Sequence, residues 1–342
     1  MQYVIKLKSN PNNPAYASVF QTNFSKLFEA KPNAISTLGI RTRQALEESG
    51  VDLSCIAEYS IPTTPPWLLH PPCFNYTLYN TGTKSDTSPE LYLSVYNRLA
   101  DVYRGYKKIF TDGSKQGPAV AAAAATEGKV LIKRLPDNAS IFSAESQAIL
   151  LALDIISQSH THDFLICSDS LSCIKSIENR DLKNPLILTI LERLHQLLSS
   201  GLTITFVWVP SHIGIPGNTA ADATAKAALC LRVSDIRVPH TDFKSLVSSY
   251  INSRWQQSWS AEKDNKLFKI QPTIKPFVVK RLARRDEITI HRLRVGHTHL
   301  THSYILHKED PPECEFCHLP LTVEHIRSEE RRVGKECLRL CR

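Results

Sequence analysis

The chain has 342 residues, of which 42% are hydrophobic, so it can bury a substantial core and is not a disordered polymer. Its formal net charge is +8, from 41 Lys and Arg against 33 Asp and Glu. The excess lies towards the C-terminus: residues 1–222 hold 19 residues of each sign, which leaves 22 basic and 14 acidic residues in 223–342. This asymmetry favours a polyanionic partner.

The number of cysteines and the length of the apolar runs indicate the cellular compartment of the protein. Nine scattered cysteines are an odd number, which argues against the disulfide framework of a secreted protein. No apolar run is long enough to span a bilayer, and the N-terminus lacks the pattern of a signal peptide. We therefore expect an intracellular protein, nuclear or cytoplasmic, that is not secreted and has no membrane partner.

Composition and hydrophobic pattern divide the chain into six parts. They are a helical segment at 1–60, a Pro/Thr/Ser-rich linker at 61–105, an α/β domain at 106–230, a basic helical region at 231–310, a cysteine-containing segment at 311–326 and an atypical tail at 327–342. The α/β domain has the clearest pattern.

The α/β domain alternates strands and helices. Short apolar or alternating runs predict a strand that ends in a turn at Asp112 within 106–115, and further strands at 119–126, 129–135, 164–170 and 202–210. Helices are predicted at 143–160, 170–179 and 185–199 and from Asn218 onward, with Ser143 and Asn218 as N-caps. The run "AVAAAAAT" has helical propensity, but it is short and bounded by turns, so a strand is favoured. The order predicts a mixed five-stranded sheet flanked by helices.

Four carboxylates occupy positions that could converge. Asp112 and Asp169 follow apolar strands, and Glu145 and Asp222 lie near helix starts. Ligand sites in α/β sheets form at such strand ends. Taken singly, each has a simpler explanation, such as a first-turn acid that suits the helix dipole or a turn before Gly113. Clustered carboxylates would repel one another unless cations lay between them, which predicts a pair of magnesium ions.

The motifs of this domain resemble a known family. The stretches "IFTDGSK", "SAESQAILLAL", "ICSDSLSCIKSI" and "WVPSHIGIPGNTAADATAKAA" occur in the order and at the spacing of the ribonuclease H domain of non-LTR, jockey-like retrotransposon polyproteins. The resemblance covers about 106–230 and implies a ribonuclease H-like fold, here with mainly helical N- and C-terminal extensions. It also implies endonucleolytic hydrolysis of the RNA strand of an RNA–DNA hybrid with two Mg²⁺ ions, for which Mn²⁺ could substitute.

The resemblance assigns roles to individual residues. Metal binding and catalysis fall to the four carboxylates Asp112, Glu145, Asp169 and Asp222. His212 would assist protonation or product release, and Gly113 and Ser114 would contact the minor groove of the hybrid. No small-molecule cofactor is implied, and the oligomeric state stays open.

Two other interpretations compete with this one. A phosphatase of the haloacid dehalogenase type also has an Asp-Gly-Ser turn after a strand, but it needs a nucleophilic aspartate two residues earlier, where this chain has Phe110. A catalytically idle, nucleic-acid-binding remnant of a retrotransposon polyprotein is the other, and it stays open because an inherited motif can outlast its activity.

The flanking segments extend the resemblance. Residues 1–60 are similar to the connector that follows the polymerase in these polyproteins, so the chain would be a C-terminal fragment of a longer parent. Near the other end, Cys314, Cys317 and His325 have zinc-knuckle spacing, and tetrahedral zinc requires a fourth ligand. The family pattern has a cysteine where Glu330 stands, so we expect an incomplete zinc site. The tail 327–342 resembles translated adaptor sequence and could be artefactual.

Overall fold

A computed structural model describes residues 1–21, 35–59, 62, 64–276, 282–315 and 317–326. The chain divides into two units, Met1–Val247 and Ser248–Arg342. The tail predicted to be atypical, 327–342, lies outside the described residues, and its origin stays a prediction.

A mixed sheet organises the first unit. Its strands are β1 (Cys73–Asn75), β2 (Lys107–Gln116), β3 (Ala119–Thr126), β4 (Lys129–Leu135), β5 (Asp163–Ser168) and β6 (Thr203–Trp208). Their spatial order is β1-β6-β5-β2-β3-β4, in which β3 runs antiparallel to both neighbours and the remaining pairs are parallel. The predicted mixed sheet is confirmed, with one strand more than the five expected.

Helices flank this sheet. In the first unit they are α1 (Gln2–Lys8), α2 (Ala15–Phe20), α3 (Leu38–Glu48), α4 (Pro89–Val102), α5 (Ile141–Ser157), α6 (Leu171–Glu178), α7 (Pro185–Ser199) and α8 (Pro216–Ala228). Helix α9 (Lys244–Ala261) begins at the end of the first unit, and the second unit continues with α10 (Lys266–Ile270), α11 (Arg284–Val295), α12 (His299–His302) and α13 (Tyr304–His307). Helical extensions on both sides of the α/β domain were predicted.

The alanine run forms β3, an interior strand of the sheet. Residues 120–124 of β3 are fully buried, and β3 pairs with β2 on one side and β4 on the other. Helices α5 and α8 both pack against β3. Small side chains let these two helices pack closely against β3. Turns at Gly117 and Gly128, both with positive φ, bound the run on either side, so it does not form a helix.

Helix α5 supplies most of the core on its side of the sheet. It begins three residues earlier than predicted: Ser140, not Ser143, is the N-cap, and its Oγ accepts a hydrogen bond from the Ser143 backbone N–H at 3.1 Å. The carboxylate of Asp242 in turn accepts from the Ser140 backbone N–H and hydroxyl, at 3.0 and 2.9 Å. The start of α5 is thus fixed by a partner about a hundred residues away.

The segment predicted as a linker, 61–105, carries folded elements. Strand β1 pairs with β6, and α4 packs Tyr92, Val95 and Leu99 against Leu165 and Val207 of the sheet. The density of proline and threonine in the first part of this segment hides the helical spacing of apolar residues in its second part. The segment therefore covers one face of the sheet.

The N-terminal helical segment is joined to the same unit by backbone pairing. Ile56 bridges to Val238, where the Ala57 N–H donates to the Val238 carbonyl and the Val238 N–H donates to the Cys55 carbonyl, both at 2.8 Å. Val4, Ile5 and Leu7 of α1 are buried in the main core. This part of the chain folds together with the α/β domain.

The second unit is mainly helical. Trp259 packs edge-on against Phe268, with ring centroids 5.8 Å apart, and its Nε1 donates to the Gln271 carbonyl at 2.8 Å. Helix α11 has acids in its first turn and arginines in its last, an arrangement that suits the helix dipole. None of the helices among the described residues is both long and apolar enough to cross a membrane.

Candidate active site

Strand register places two aspartates side by side. Strands β2 and β5 pair in parallel up to Thr111 and Ser168, so Asp112 and Asp169 are the next residues along each strand. The prediction that β2 ends at Asp112 was wrong, because β2 continues to Gln116 in antiparallel pairing with β3. Only its pairing with β5 stops at this point, and this leaves room for a site.

Helix α5 brings Glu145 to the same place. A side chain on Gly113 would put its Cβ 2.8 Å from the Glu145 backbone nitrogen and 2.9 Å from the Ala144 Cβ. Glycine is therefore required for the helix to lie this close to β2. The Gly113 backbone also hydrogen-bonds the Glu145 carboxylate. The residue predicted to contact substrate has a structural function as well.

Asp112, Glu145 and Asp169 form a compact cluster. Each offers a carboxylate oxygen, and these oxygens lie within 4.8 Å of one another. Asp112 and Glu145 are buried, at 5% and 8% exposure. Within the described part of the chain, the Oδ2 of Asp112 and the Oε2 of Glu145 have no hydrogen-bond partner. Buried carboxylate oxygens without donors are suited to a hard divalent cation.

The electrostatics of the cluster agree with this geometry. Burial, followed by the charges of Asp169 and Asp222, raises the pKa of Asp112 to about 8. Burial together with Asp169 and Asp112 raises the pKa of Glu145 well above its ordinary value. Without a cation Asp112 therefore holds a proton near neutral pH, and a bound divalent cation would replace it.

The fourth predicted carboxylate lies beside this cluster. Asp222 projects from α8, is outside the set of closely spaced oxygens and accepts a hydrogen bond from Lys226 Nζ at 2.8 Å. The Nδ1 of His212 is 4.0 Å from the Asp222 carboxylate, and His212 is exposed with a left-handed φ of 55°. The structure thus brings all four predicted carboxylates and the predicted histidine into one region.

Asn218 has a different position from the one predicted. Helix α8 begins at Pro216 with Ile215 as the N-cap, so Asn218 is the third helical residue and is buried. Burial raises the pKa of Asp169, and a hydrogen bond from Asn218 partly offsets that rise. Proline is favoured at the first position of a helix, a signal at Pro216 that could have placed the helix start correctly.

Two further residues complete the surroundings of the cluster. Trp208 Nε1 donates to the Asp169 carbonyl at 3.0 Å, which fixes the backbone just after β5, and no local sequence pattern indicates this contact. Ser114 is two residues from Asp112 and so points to the same face of β2, although only 9% of it is exposed. Substrate contacts by Gly113 and Ser114 stay predictions.

The predicted zinc ligands also converge. In the second unit, Cys314, Cys317 and His325 have ligand atoms within 4.8 Å of one another, and Cys317 Sγ is 3.4 Å from His325 Nε2. A tight turn holds them, in which the His318 N–H donates to the Cys314 carbonyl at 2.9 Å. Glu330, where the family pattern has a cysteine, lies outside the described residues.

The fold and the first cluster define an α/β domain with a carboxylate site suited to divalent cations. Residues 105–230 match the family model described as RNase H, which confirms the ribonuclease H domain predicted at 106–230. Among solved structures, ribonuclease H1 from the halophilic archaeon Halobacterium salinarum NRC-1 is similar, with 23% identity and a TM-score of 0.30. The similarity covers 36% of this chain and 98% of that one. No curated protein matches the sequence.

Proposed function

We propose that this protein hydrolyses the RNA strand of RNA–DNA hybrids at the cluster formed by Asp112, Glu145 and Asp169. The observation that carries the proposal is the close approach of three carboxylates, with two buried oxygens that lack hydrogen-bond donors among the described residues. This cluster lies inside the segment that matches the RNase H family model.

The residues present fit a hard divalent cation, and the proposal is that two such ions bind here. Asp112, Glu145 and Asp169 would hold Mg²⁺, with Asp222 as the fourth ligand, and Mn²⁺ could substitute. Such ions activate a water molecule and stabilise the leaving oxygen of a phosphodiester. Asn218 hydrogen-bonds Asp169 and so orients one of the ligands.

Neighbouring side chains would act on the substrate. His212, next to Asp222 and open to solvent, is placed to transfer a proton to the leaving oxygen. Gly113 and Ser114 would contact the minor groove, where the 2′-hydroxyl distinguishes RNA from DNA. Lys226 holds Asp222 through a hydrogen bond and would have to share this carboxylate with a metal ion.

Cleavage of a hybrid labelled separately on each strand tests the proposal. We expect the full chain to cut the RNA strand only when Mg²⁺ or Mn²⁺ is added, and Asp112→Asn to lose at least a hundredfold of the rate, since a metal ligand is removed. The matched control is Asp101→Asn, an exposed aspartate near the end of α4 whose ion-pair partner Arg104 is also exposed. A folded wild-type protein that binds the hybrid and leaves both strands intact would favour the idle remnant.

We further propose that Cys314, Cys317 and His325 bind zinc, supported by their converging ligand atoms. With three ligands described, tetrahedral zinc would take its fourth from water or from outside these residues. Metal analysis after dialysis should give about one zinc per chain, and Cys317→Ser should remove it while the Mg²⁺-dependent activity is kept. Equal zinc in both proteins would contradict this.

The origin of the chain in a retrotransposon polyprotein, and its location in the nucleus or cytoplasm, are proposals too. They are supported by the motif resemblance on both sides of the α/β domain. A polymerase reading frame directly upstream of the gene would support the origin, and fluorescence of the tagged full chain would show the location.

A further inference from the structure

A second cleft in the first unit is lined by positive charge. It has a volume of about 650 Å³ and lies where α1, the segment before α7 and the start of α9 meet. Its lining includes the lysines Lys6, Lys183 and Lys244 together with His240. The residues that line it include no Asp or Glu within the described part of the chain. The cleft thus presents several cations to one space.

The three lysines are not neutralised by neighbouring acids. All three are exposed, and none forms an ion pair with another described residue. Of the acids nearby in sequence, Glu58 pairs with Arg237 at 3.2 Å, and the Asp181 carboxylate accepts from the Lys183 backbone N–H at 3.2 Å. Like charges around one space repel unless an anion lies between them.

The pKa of His240 is affected by these neighbouring lysines. Burial, followed by the charges of Lys244 and Lys6, lowers its pKa. The imidazole is therefore neutral at physiological pH, and it can donate or accept one hydrogen bond at the cleft wall. A negatively charged group in the cleft would relieve the repulsion that the two lysines exert.

The walls are held by contacts between distant parts of the chain. The buried hydroxyl of Ser9 lies 3.4 Å from His240 Nδ1 and donates to the Lys6 carbonyl at 2.7 Å. The Tyr59 N–H donates to the Ser9 carbonyl at 2.7 Å. The cleft is thus formed by folding of the N-terminal segment onto the α/β domain, and these contacts hold the backbone that carries Lys6 close to His240.

We propose that this cleft binds the terminal phosphate of a nucleotide, either a free mononucleotide or the 5′ end of a single strand. Three lysines complement the dianion of a phosphate monoester better than the single charge of an internal phosphodiester. The volume lies in the range of small-ligand sites, and the exposed rings of Tyr3 and Tyr59 provide surfaces on which a base can stack.

This site is separate from the carboxylate cluster. None of Asp112, Glu145, Asp169 and Asp222 lines the cleft, which has cationic walls where the cluster is anionic. Phosphate binding here therefore does not depend on the proposed hydrolysis, and it can be measured while the cluster is inactive.

Calorimetry with the full chain in EDTA tests the proposal, since no metal can then bridge a phosphate to the carboxylate cluster. The probes are adenosine 5′-monophosphate, a short single-stranded DNA with a 5′-phosphate and the same strand with a 5′-hydroxyl. We expect Lys183→Ala and Lys244→Ala each to weaken binding of a phosphorylated probe about fivefold, the loss of one charged contact. Lys183→Arg keeps the positive charge and should bind the phosphorylated probe with about the affinity of the wild type.

Lys133→Ala is the matched control, because it removes the same charge from β4, away from the cleft. Tighter binding of the mononucleotide would identify a free nucleotide as ligand, and tighter binding of the phosphorylated strand would identify a strand end. Equal affinity for the 5′-hydroxyl strand, or equal losses in Lys133→Ala and the cleft variants, would overturn the proposal. So would the absence of binding by any probe, provided that thermal unfolding shows the proteins to be folded.

Discussion

At the scale of single residues, the most informative group is a buried carboxyl. Asp112 has one oxygen without a partner among the described residues and a pKa raised to about 8. Structural carboxylates usually gain donors on folding, which lowers their pKa. Burial without donors is more typical of a group whose partner is a ligand. Burial raises the pKa of Asp242 as well, but Asp242 accepts two hydrogen bonds from Ser140 that offset part of this rise, whereas one oxygen of Asp112 has no donor among the described residues.

A raised pKa sets the sign of a pH effect on stability. Because the pKa of Asp112 is higher in the folded than in the unfolded protein, its contribution to folding is full below roughly pH 4 and is lost as the pH rises through about 8. We therefore expect metal-free protein to lose stability over this window, and Asp112→Asn to be more stable than wild type by about 2 kcal/mol at alkaline pH.

Urea unfolding in EDTA at several pH values measures this effect. Asp101→Asn serves as the control, since Asp101 and its ion-pair partner Arg104 are both exposed. If the free energy of unfolding changed with pH in the same way in wild type and in Asp112→Asn, Asp112 would not have a raised pKa in the folded protein. That result would contradict the description of the cluster.

At the scale of elements, the contact between β2 and α5 decides whether the site forms. Gly113 lets the helix approach until a Cβ would be 2.8 Å from the Glu145 backbone nitrogen. We expect Gly113→Ala to push α5 outward, to cost about 2 kcal/mol of the free energy of unfolding and to weaken Mg²⁺ binding. Chemical unfolding and a metal titration measure the two effects.

Gly105→Ala is the matched control, because a Cβ at Gly105 meets nothing within 4 Å and its backbone needs no positive φ. Loss of metal affinity in Gly113→Ala without loss of stability would point to a substrate or ligand contact in place of a packing role. No change in either quantity would contradict the close approach.

Much of the central fold could be predicted from sequence, because its elements have strong local signals. Apolar runs bounded by turns located β2 to β6, and the 3.6-residue periodicity located α5, α6 and α7. The carboxylates could be placed because strand ends and helix starts meet at one edge of a parallel sheet. The predicted N-caps were wrong. Ser143 and Asn218 are residue types that favour the N-cap position, but each lies about one turn after the actual start of its helix.

The parts that could not be predicted depend on long-range contacts. Strand β1 has three residues and exists only because β6 offers it an edge. The hydrogen bond from Asn218 to Asp169 and the one from Trp208 to the Asp169 backbone join residues that are distant in sequence. No local pattern identifies such pairs, whereas the four clustered carboxylates share a residue type that can be recognised in the sequence.

At the scale of the whole molecule, charge is distributed unevenly. Residues 223–342 contain 22 basic and 14 acidic residues, while the part before them is balanced. Basic residues gain affinity for nucleic acid by releasing counterions from phosphates. We expect a protein that ends at Val247 to bind the hybrid about tenfold more weakly than the full chain at low salt, and with a shallower dependence of affinity on salt.

Fluorescence anisotropy with labelled hybrid at increasing salt measures both quantities. Metal-dependent cleavage should survive in the shortened protein, because the carboxylate cluster lies entirely within the first unit. Identical affinities and salt slopes for the two proteins would show that the basic excess has no function in nucleic-acid binding.

The most direct test of the site is calorimetric titration of Mg²⁺ into the metal-free protein at neutral pH, in two buffers that differ in ionisation enthalpy. Because Asp112 holds a proton at neutral pH when no cation is bound, Mg²⁺ binding should release it, and the measured heat should differ between the buffers. Asp112→Asn should bind Mg²⁺ weakly and release fewer protons. Binding with the same heat in both buffers, and with the same affinity in Asp112→Asn, would contradict a metal site built on these buried carboxylates.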